Sequence, residues 1–330
     1  MSRIAVIGSG AWGTALAISL ARRGGHSIVL WSHSAAVAEQ IRDTGVNLAF
    51  LPGYVVPVDV VVTSSLEAAV EEADFVLCVT PSEHMRHVVS RIAPLLTRDQ
   101  IVVSATKGLE ETSLLRMSQV IASLTDNPCG VLSGPSFAAE VAAGVPTAVV
   151  AAAAGPGVAL TIQKEFSSPS LRLYTNDDVA GVELGGSLKN VIALAAGVVH
   201  GLELGHNAGA ALITRGIAEI TRLAVACGGR KQTLTGLSGL GDLVLTCTGS
   251  LSRNRMVGTE LGKGRLLADV LAGMNGKVAE GVRCTAAALG LAARYGVVMP
   301  ITEQMDAILH RGKAPEEAIR ELMARPGREE

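Results

Sequence analysis

The stretch Arg3-Ile-Ala-Val-Ile-Gly8-Ser-Gly10-Ala-Trp-Gly13-Thr14, continued by Ala15-Leu-Ala-Ile-Ser-Leu-Ala-Arg22, decides how this chain is read. Residues 3–7 form a short, mostly apolar run of strand character. Residues 14–22 repeat Leu16, Leu20 and alanines at helical spacing, and three glycines stand between the two patterns. Strand, glycine turn and helix are therefore predicted in that order. The glycines have separate uses: Gly8 makes the tight turn, Gly10 lets another molecule approach the backbone, and Gly13 lets the helix pack on its strand. A helix that opens on such a turn presents N–H groups to an anion.

Outward from this stretch, a second strand is predicted at residues 27–31. Further strands are expected at 58–63, 75–79, 101–105, 131–133, 148–152 and 171–174, with helix-like segments between several of them. That alternation predicts an α/β fold, a Rossmann-type doubly wound sheet that binds a dinucleotide. NAD-specific folds of this kind place a carboxylate at the end of the second strand to hold the ribose 2′-hydroxyl. Here that strand runs into Trp31-Ser32-His33 instead, so NADP(H) is not repelled and the cofactor is NADP(H) or NAD(H). Ser32 and His33 either meet a 2′-phosphate or form an ordinary polar loop.

Ligands of such sheets sit beyond the carboxyl ends of the strands, which directs attention to three loops: Thr80-Pro81-Ser82, Thr106-Lys107-Gly108 and Gly134-Pro135-Ser136-Phe137. Lys107 is placed to reach a substrate oxygen or phosphate, the alternative being a lysine that snorkels at the sheet edge. Gly134 and Ser136 either offer donors to a ligand or form a plain turn.

After Tyr174 the strand-like runs stop, and the domain boundary is placed between residues 178 and 179, with a helical domain over 179–330. The segment 179–199 reads as one long apolar helix that should be buried. Between Glu183 and His200 its one charge is Lys189, followed by Asn190. A lysine there is costly unless it has a task; burial would lower its pKa and suit it to proton exchange with a carbonyl oxygen during hydride transfer. Arg215, Glu219 and Arg222, at helical spacing on a helix over 208–226, are expected to form a solvated or ion-paired face. The run from Leu237 to Arg255 concentrates Asp242, Thr246, Ser252, Arg253 and Asn254 among glycines. Arg253 could grip a phosphate bidentately, with Ser252 and Asn254 adding donors, or could sit in an exposed cationic loop. Asp242 caps the following helix or approaches Lys189. Glu280 reads as first-turn compensation of a helix dipole or as a cofactor contact. The amphipathic segment 302–324 is scaffold.

The totals set bounds. A chain of 330 residues exceeds one comfortable core, so two domains are expected. With 28 basic against 30 acidic residues and no basic stripe, nucleic acid is not an expected partner. Cys78, Cys129, Cys227, Cys247 and Cys284 are scattered, with no Cys-x-x-Cys pair and no histidine at zinc spacing, so reduced thiols and no metal site are expected. The first residues run directly into a strand, which points to a cytoplasmic protein. The uncharged run 141–163 is long enough to span a membrane, but Pro146 and Gly155-Pro156-Gly157 interrupt it, and no integral membrane association is expected.

Together these motifs resemble bacterial NAD(P)-dependent glycerol-3-phosphate dehydrogenase, over nearly the whole chain from Gly8 to about Arg311. The pieces that carry the resemblance are Gly8-Ser-Gly-Ala-Trp-Gly-Thr-Ala-Leu, Ala105-Thr-Lys-Gly-Leu-Glu, Ser133-Gly-Pro-Ser-Phe-Ala, Lys189-Asn-Val-Ile-Ala, Gly239-Leu-Gly-Asp-Leu, Ser252-Arg-Asn-Arg and Met299-Pro-Ile-Thr. The resemblance implies a C-terminal domain like that of 6-phosphogluconate dehydrogenase and reduction of dihydroxyacetone phosphate to glycerol 3-phosphate for phospholipid synthesis. It implies Lys189 as general acid/base, and a substrate set of Lys107, Gly134, Ser136, Lys189, Asn190, Asp242, Thr246, Ser252, Arg253 and Asn254. Ser136 stands where relatives often have threonine. The implied cofactor set is Gly8, Gly10, Ala11, Trp12, Gly13, Ser32, His33, Lys107, Ala138, Arg253, Val278 and Glu280. Rival expectations are a 3-hydroxyacid dehydrogenase of the related two-domain type and a dinucleotide sensor without turnover. A homodimer is expected from base rates alone.

Overall fold

The computed structural model describes residues 1–274 and 279–327. The chain divides into two compact units, Met1–Glu110 with Leu115–Glu183, and Glu111–Leu114 with Leu184–Glu330.

The first unit is built on eight strands: β1 (Ser2–Ile7), β2 (His26–Trp31), β3 (Val61–Thr63), β4 (Phe75–Cys78), β5 (Ile101–Ser104), β6 (Cys129–Ser133), β7 (Thr147–Ala152) and β8 (Leu171–Asn176). They form one sheet in the order β3-β2-β1-β4-β5-β6-β7-β8. The first six follow the doubly wound dinucleotide-binding order. Neighbours are parallel except β6 and β7, which pair antiparallel with Leu132 opposite Ala151. The chain therefore leaves β6 and enters β7 at the same end of the sheet, and β8 continues parallel to β7.

The central strands β1, β4 and β5 carry nearly unbroken apolar runs because both faces are covered, whereas the edge strand β8 alternates buried and exposed residues. Ile4 to Ile7 are wholly buried. On one face pack helices α1 (Ala11–Arg23), α2 (Ala35–Thr44), α6 (Ala138–Ala143) and α7 (Pro156–Phe166), through Leu16, Leu20, Ile41, Val141 and Phe166. On the other pack α3 (Leu66–Val70), α4 (Met85–Ile92) and α5 (Met117–Ala122), through Leu66, Met85, Val89 and Ile121. Strand β3 is shorter than the predicted 58–63. Pro57 accepts from the Val60 N–H at 3.0 Å in a turn, and Val58 is fully exposed, so pairing begins only at Val61. The uncharged run 141–163 resolves into the end of α6, strand β7 and the first turns of α7.

The second unit is helical: α8 (Val179–Gly201, entered from the first unit), α9 (Gly205–Ala226), α10 (Lys231–Leu234), α11 (Asp242–Thr248), α12 (Arg253–Gly262), α13 (Leu267–Ala272), α14 (Glu280–Tyr295), α15 (Pro300–His310) and α16 (Pro315–Met323). The amphipathic segment 302–324 forms two helices, divided at Gly312, whose φ is +68°, and restarted at Pro315. Helix α8 is long and apolar enough to cross a membrane by length and composition, yet 89% of that window is buried in protein.

Helix α8 is covered at close range because glycines remove the side chains that would hold its neighbours off. A Cβ placed on Gly197 would lie 2.1 Å from the Arg255 carbonyl oxygen, and one on Gly201 2.3 Å from that of Thr259. Reciprocally, a Cβ on Gly258 would lie 1.9 Å from the Leu194 oxygen and one on Gly262 2.6 Å from the Val198 oxygen. Two glycines one turn apart on each helix thus bring the backbones of α8 and α12 into direct contact.

Of the two expectations for the Arg215, Glu219 and Arg222 face, solvated or ion-paired, Glu219 follows the second, with Arg222 at 3.9 Å, and is buried rather than solvated. It is 1% exposed and accepts the backbone N–H groups of Ile301 and Thr302 at 3.0 and 2.9 Å, and the Thr302 hydroxyl at 2.7 Å. It therefore serves the otherwise orphaned N–H groups at the start of α15. Burial pushes its carboxyl pKa up, opposed by those hydrogen bonds and by Arg222 at 3.9 Å.

Candidate functional site

In the first unit the glycine loop has the predicted form. Gly8 adopts φ +127°, and a Cβ there would lie 2.7 Å from the Val79 carbonyl oxygen. Gly13 leaves still less room, since its Cβ would fall 1.9 Å from the oxygen of Gly8. Gly10 differs: nothing lies within 4 Å of its Cβ position, so its face of the loop is open. Helix α1 begins immediately after Gly10 with no side chain capping it, so the N–H groups of Ala11 and Trp12 open on that face with the positive end of the helix dipole. The Trp12 indole Nε1 is buried with no partner in the protein. An open glycine face, an uncapped helix start and an unmatched buried donor together fit the pyrophosphate of a dinucleotide.

Ser32 is 1% exposed; its hydroxyl accepts from Ser9 Oγ at 2.8 Å and donates to the Ser34 carbonyl at 3.0 Å. It ties the glycine loop to the end of β2. His33 is exposed, its ring 6.0 Å from that of Trp31 in an edge-on arrangement. The loops after β5 and β6 meet: Lys107 Nζ donates to the Gly134 carbonyl at 2.7 Å and reaches Ser136 Oγ at 3.4 Å, while Ser136 Oγ donates to the same carbonyl at 2.9 Å. Gly134 is held at φ +140°, its Cβ position 3.0 Å from the Val149 Cα. Ala138 is the first residue of α6.

In the second unit Lys189 is 6% exposed and Asp242 is wholly buried. Lys189 Nζ donates to Asp242 Oδ1 and, at 2.8 Å, to Thr246 Oγ1. Thr246 Oγ1 donates to the Asp242 carbonyl at 2.6 Å, so acceptor and relay lie one turn apart on α11. A wide turn delivers Asp242: the Gly241 N–H donates to the Gly236 carbonyl at 3.1 Å, and Gly239 packs so tightly that a Cβ would lie 2.1 Å from the Leu234 oxygen. Of the two roles open to Asp242 in the sequence, the structure shows the approach to Lys189.

Beside this pair, Asn254 Nδ2 donates to Asn190 Oδ1 at 2.9 Å, and the Gly281 N–H donates to Asn254 Oδ1 at 3.0 Å. One carboxamide therefore links α8, α12 and α14. Ser252, 4% exposed, caps α12 by accepting the Arg255 N–H at 3.2 Å. Arg253 starts α12; partial withdrawal from water lowers the pKa of its guanidinium, and Glu280, the first residue of α14, acts against this. Val278 lies outside the described residues. Burial pushes the Cys78, Cys129, Cys247 and Cys284 thiols up to about 12, which leaves them poor nucleophiles. The residue that sequence reasoning missed is Asn47, wholly buried and bonded to the Ser9 carbonyl at 2.7 Å.

A glycine loop with an open face at a helix start on an α/β unit and a buried, acid-paired lysine on a helical one are the features of two-domain dinucleotide-dependent dehydrogenases. Comparison with known proteins narrows that class. Residues 3–159 match the family model described as NAD-dependent glycerol-3-phosphate dehydrogenase N-terminus, and residues 178–320 match its C-terminus. The chain belongs to this family. It is 62% identical over 338 residues to glycerol-3-phosphate dehydrogenase [NAD(P)+] of Acidobacterium capsulatum, covering 100% of both chains. It is 59% identical over 330 residues to the protein of the same name from Koribacter versatilis, covering 99% of this chain and 98% of that one. Among solved structures, glycerol-3-phosphate dehydrogenase of Coxiella burnetii superposes with a TM-score of 0.94 at 41% identity, covering 98% of this chain and 99% of that one.

Proposed function

We propose that this protein reduces dihydroxyacetone phosphate reversibly to sn-glycerol 3-phosphate with NADH or NADPH, in the cytoplasm and as a homodimer, and so supplies the backbone of glycerophospholipids. The domains are taken as 1–178 for the cofactor and 179–330 for the substrate. The observation that carries the reading is the buried Lys189, held by Asp242 and Thr246 on a helix otherwise free of charge from Leu184 to Val199.

Gly8, Gly10, Ala11, Trp12 and Gly13 would hold the pyrophosphate, with Ser32 and His33 near the adenosine ribose and Lys107, Ala138, Arg253, Val278 and Glu280 completing the cofactor set. When bound, the nicotinamide supplies the hydride that reduces the ketone carbon. Lys189 donates a proton to the oxygen on which negative charge develops, and takes it back in the reverse direction. Asp242 and Thr246 fix the direction in which the ammonium points, so no reorganisation is needed as the charge develops. Arg253 offers a bidentate grip on the phosphate, assisted by Ser252 and Asn254, while Asn190, Lys107, Gly134 and Ser136 complete the substrate set.

The test is the loss of nicotinamide absorbance when purified protein meets dihydroxyacetone phosphate with NADH or with NADPH. Substrate-dependent oxidation is expected, and the two rates rank the cofactors. Cofactor binding without oxidation in either cuvette would overturn the reading.

A further inference from the structure

We propose that Asn47 is a positioning residue for dinucleotide binding, fixing the Ser9–Gly10 peptide in the orientation that turns the Gly10 N–H toward the open face of the glycine loop. The inference rests on the proposed cofactor role of that loop and adds a residue that touches no cofactor atom.

Asn47 lies in the excursion between α2 and β3. Gly45 ends α2 in the left-handed conformation, Val46 bridges Val55, and Leu51 and Val56 anchor the excursion in the same core that covers α1. No part of Asn47 reaches solvent, and a buried carboxamide must find its partners within the protein. Its Oδ1 accepts the Phe50 N–H at 3.1 Å, which sets the local turn. Its Nδ2 donates to the Ser9 carbonyl oxygen at 2.7 Å and to Thr14 Oγ1 at 2.8 Å. Thr14 Oγ1 donates in turn to the same Ser9 oxygen at 3.2 Å.

Two donors thus draw one carbonyl inward. A trans peptide is planar, so its C=O and N–H project from opposite edges. With the Ser9 oxygen held toward Asn47 and Thr14, the N–H of Gly10 is directed away from them. A flipped peptide would aim a carbonyl at the phosphate binding face and repel an anion. Glycine at position 10 imposes no side-chain restraint against that flip, which is the cost of leaving its face open, and within the motif Thr14 holds the Ser9 oxygen at the longer distance of 3.2 Å. Asn47 supplies the shorter restraint, at 2.7 Å, from outside the motif. Sequence reading passes it over because Gly45-Val-Asn47-Leu carries no periodic or motif signal.

The experiment measures the Kd of NADH and NADPH by nicotinamide fluorescence, together with KM and kcat, for wild type, Asn47→Ala, Asn47→Asp and Thr14→Val. Thermal unfolding confirms that each variant is folded. Asn47→Asp retains the size and the acceptor for Phe50 but sets an oxygen against the Ser9 oxygen. Both Asn47 variants are expected to raise the Kd of NADH and NADPH alike by about tenfold or more, equivalent to about 1.4 kcal/mol. The cofactor KM should follow, while kcat and the KM for dihydroxyacetone phosphate at saturating cofactor stay within about twofold. Thr14→Val, which removes the second donor to the same oxygen, should act in the same direction by a smaller factor. Leu51→Ala loosens the packing of the same excursion without touching these bonds and is expected to leave cofactor affinity near wild type. Unchanged cofactor Kd in a folded Asn47 variant overturns the inference, as does an equal loss in Leu51→Ala, which would mark Asn47 as packing alone. Failure of the wild type to bind either dinucleotide overturns the functional reading instead.

Discussion

The contact between α8 and α12 can be broken by one methyl group. In Gly258→Ala the new Cβ would start 1.9 Å from the Leu194 carbonyl oxygen and 3.0 Å from the Gly197 Cα, both backbone atoms that cannot rotate away. Separations under 3.0 Å are not tolerated, so the helices must part by about 1.1 Å at this point. The Asn254–Asn190 hydrogen bond between the same two helices measures 2.9 Å, and N–H···O bonds weaken beyond about 3.2 Å, which leaves a slack of about 0.3 Å. The displacement exceeds the slack more than threefold, so the bond breaks or α12 tilts, and Arg253 and Asn254 move relative to Lys189 and Asn190. Overpacking of this kind costs about 1–3 kcal/mol, and a shift near 1 Å in a reacting group can cost on the order of 100-fold in rate. Calorimetry is expected to show Tm lowered by roughly 3–10 °C, and steady-state assays a kcat reduced by at least about tenfold with a smaller change in cofactor Kd. Gly209→Ala is the control: the residue lies in α9 with nothing within 4 Å of the added methyl, and relief of backbone entropy should raise stability by about 0.4–1 kcal/mol. A Gly258→Ala enzyme with wild-type Tm and kcat would refute the claim that glycine contacts set the geometry of this site.

The remaining predictions concern charge. Lys189→Met should lower kcat by roughly 10²–10⁴-fold while dinucleotide affinity persists, and should cost about 3–5 kcal/mol by leaving Asp242 buried without its cation. Adding Asp242→Asn should restore Tm without restoring kcat, and recovery of turnover in the double variant would exclude Lys189 as the proton donor. Arg253→Ala should raise the KM for dihydroxyacetone phosphate by roughly 10–100-fold, the worth of a charge-assisted grip, with a smaller effect on cofactor KM; an unchanged substrate KM would remove Arg253 from the phosphate site. Glu219 gives a pH signature. Its folded pKa is raised above the ordinary 4.5, so the folded state holds the proton more tightly, and its contribution to stability is full below 4.5 and lost as pH rises through the elevated value. Glu219→Gln should therefore flatten the fall of Tm with rising pH in that window, and parallel Tm curves for the two proteins would contradict the assignment.

Much of the fold was legible because its signals are local. Most of the eight strands are apolar runs that need no knowledge of their neighbours, and the glycine loop announces itself by spacing. What the sequence concealed is relational. The antiparallel pairing of β7 leaves no trace in its composition, since a strand buried on both faces reads the same in either direction. Lys189 was conspicuous as a lone charge in an apolar helix, but its partner lies 53 residues away, and the sequence left Asp242 open between a helix cap and an approach to that lysine. Glu219 was placed on a solvated or ion-paired face, and its burial against α15 was hidden because helical spacing shows which residues share a stripe and not what packs on it. Asn254 was read as a substrate donor, and the structure adds that its carboxamide already joins three helices.

Helix α8 has a history as well as a place. During synthesis it is complete before any of α9, α12 or α14, the helices that later press on Ile192, Gly197, Gly201 and Asn190, has left the ribosome. For that interval the nascent chain displays a segment that the insertion machinery of a membrane would examine as a span. Lys189 sits near its middle, where an ammonium group disfavours insertion by about 2.5–3.5 kcal/mol. The charge proposed to donate protons in the finished enzyme thus also makes this helix a poorer membrane span than its apolar remainder would be.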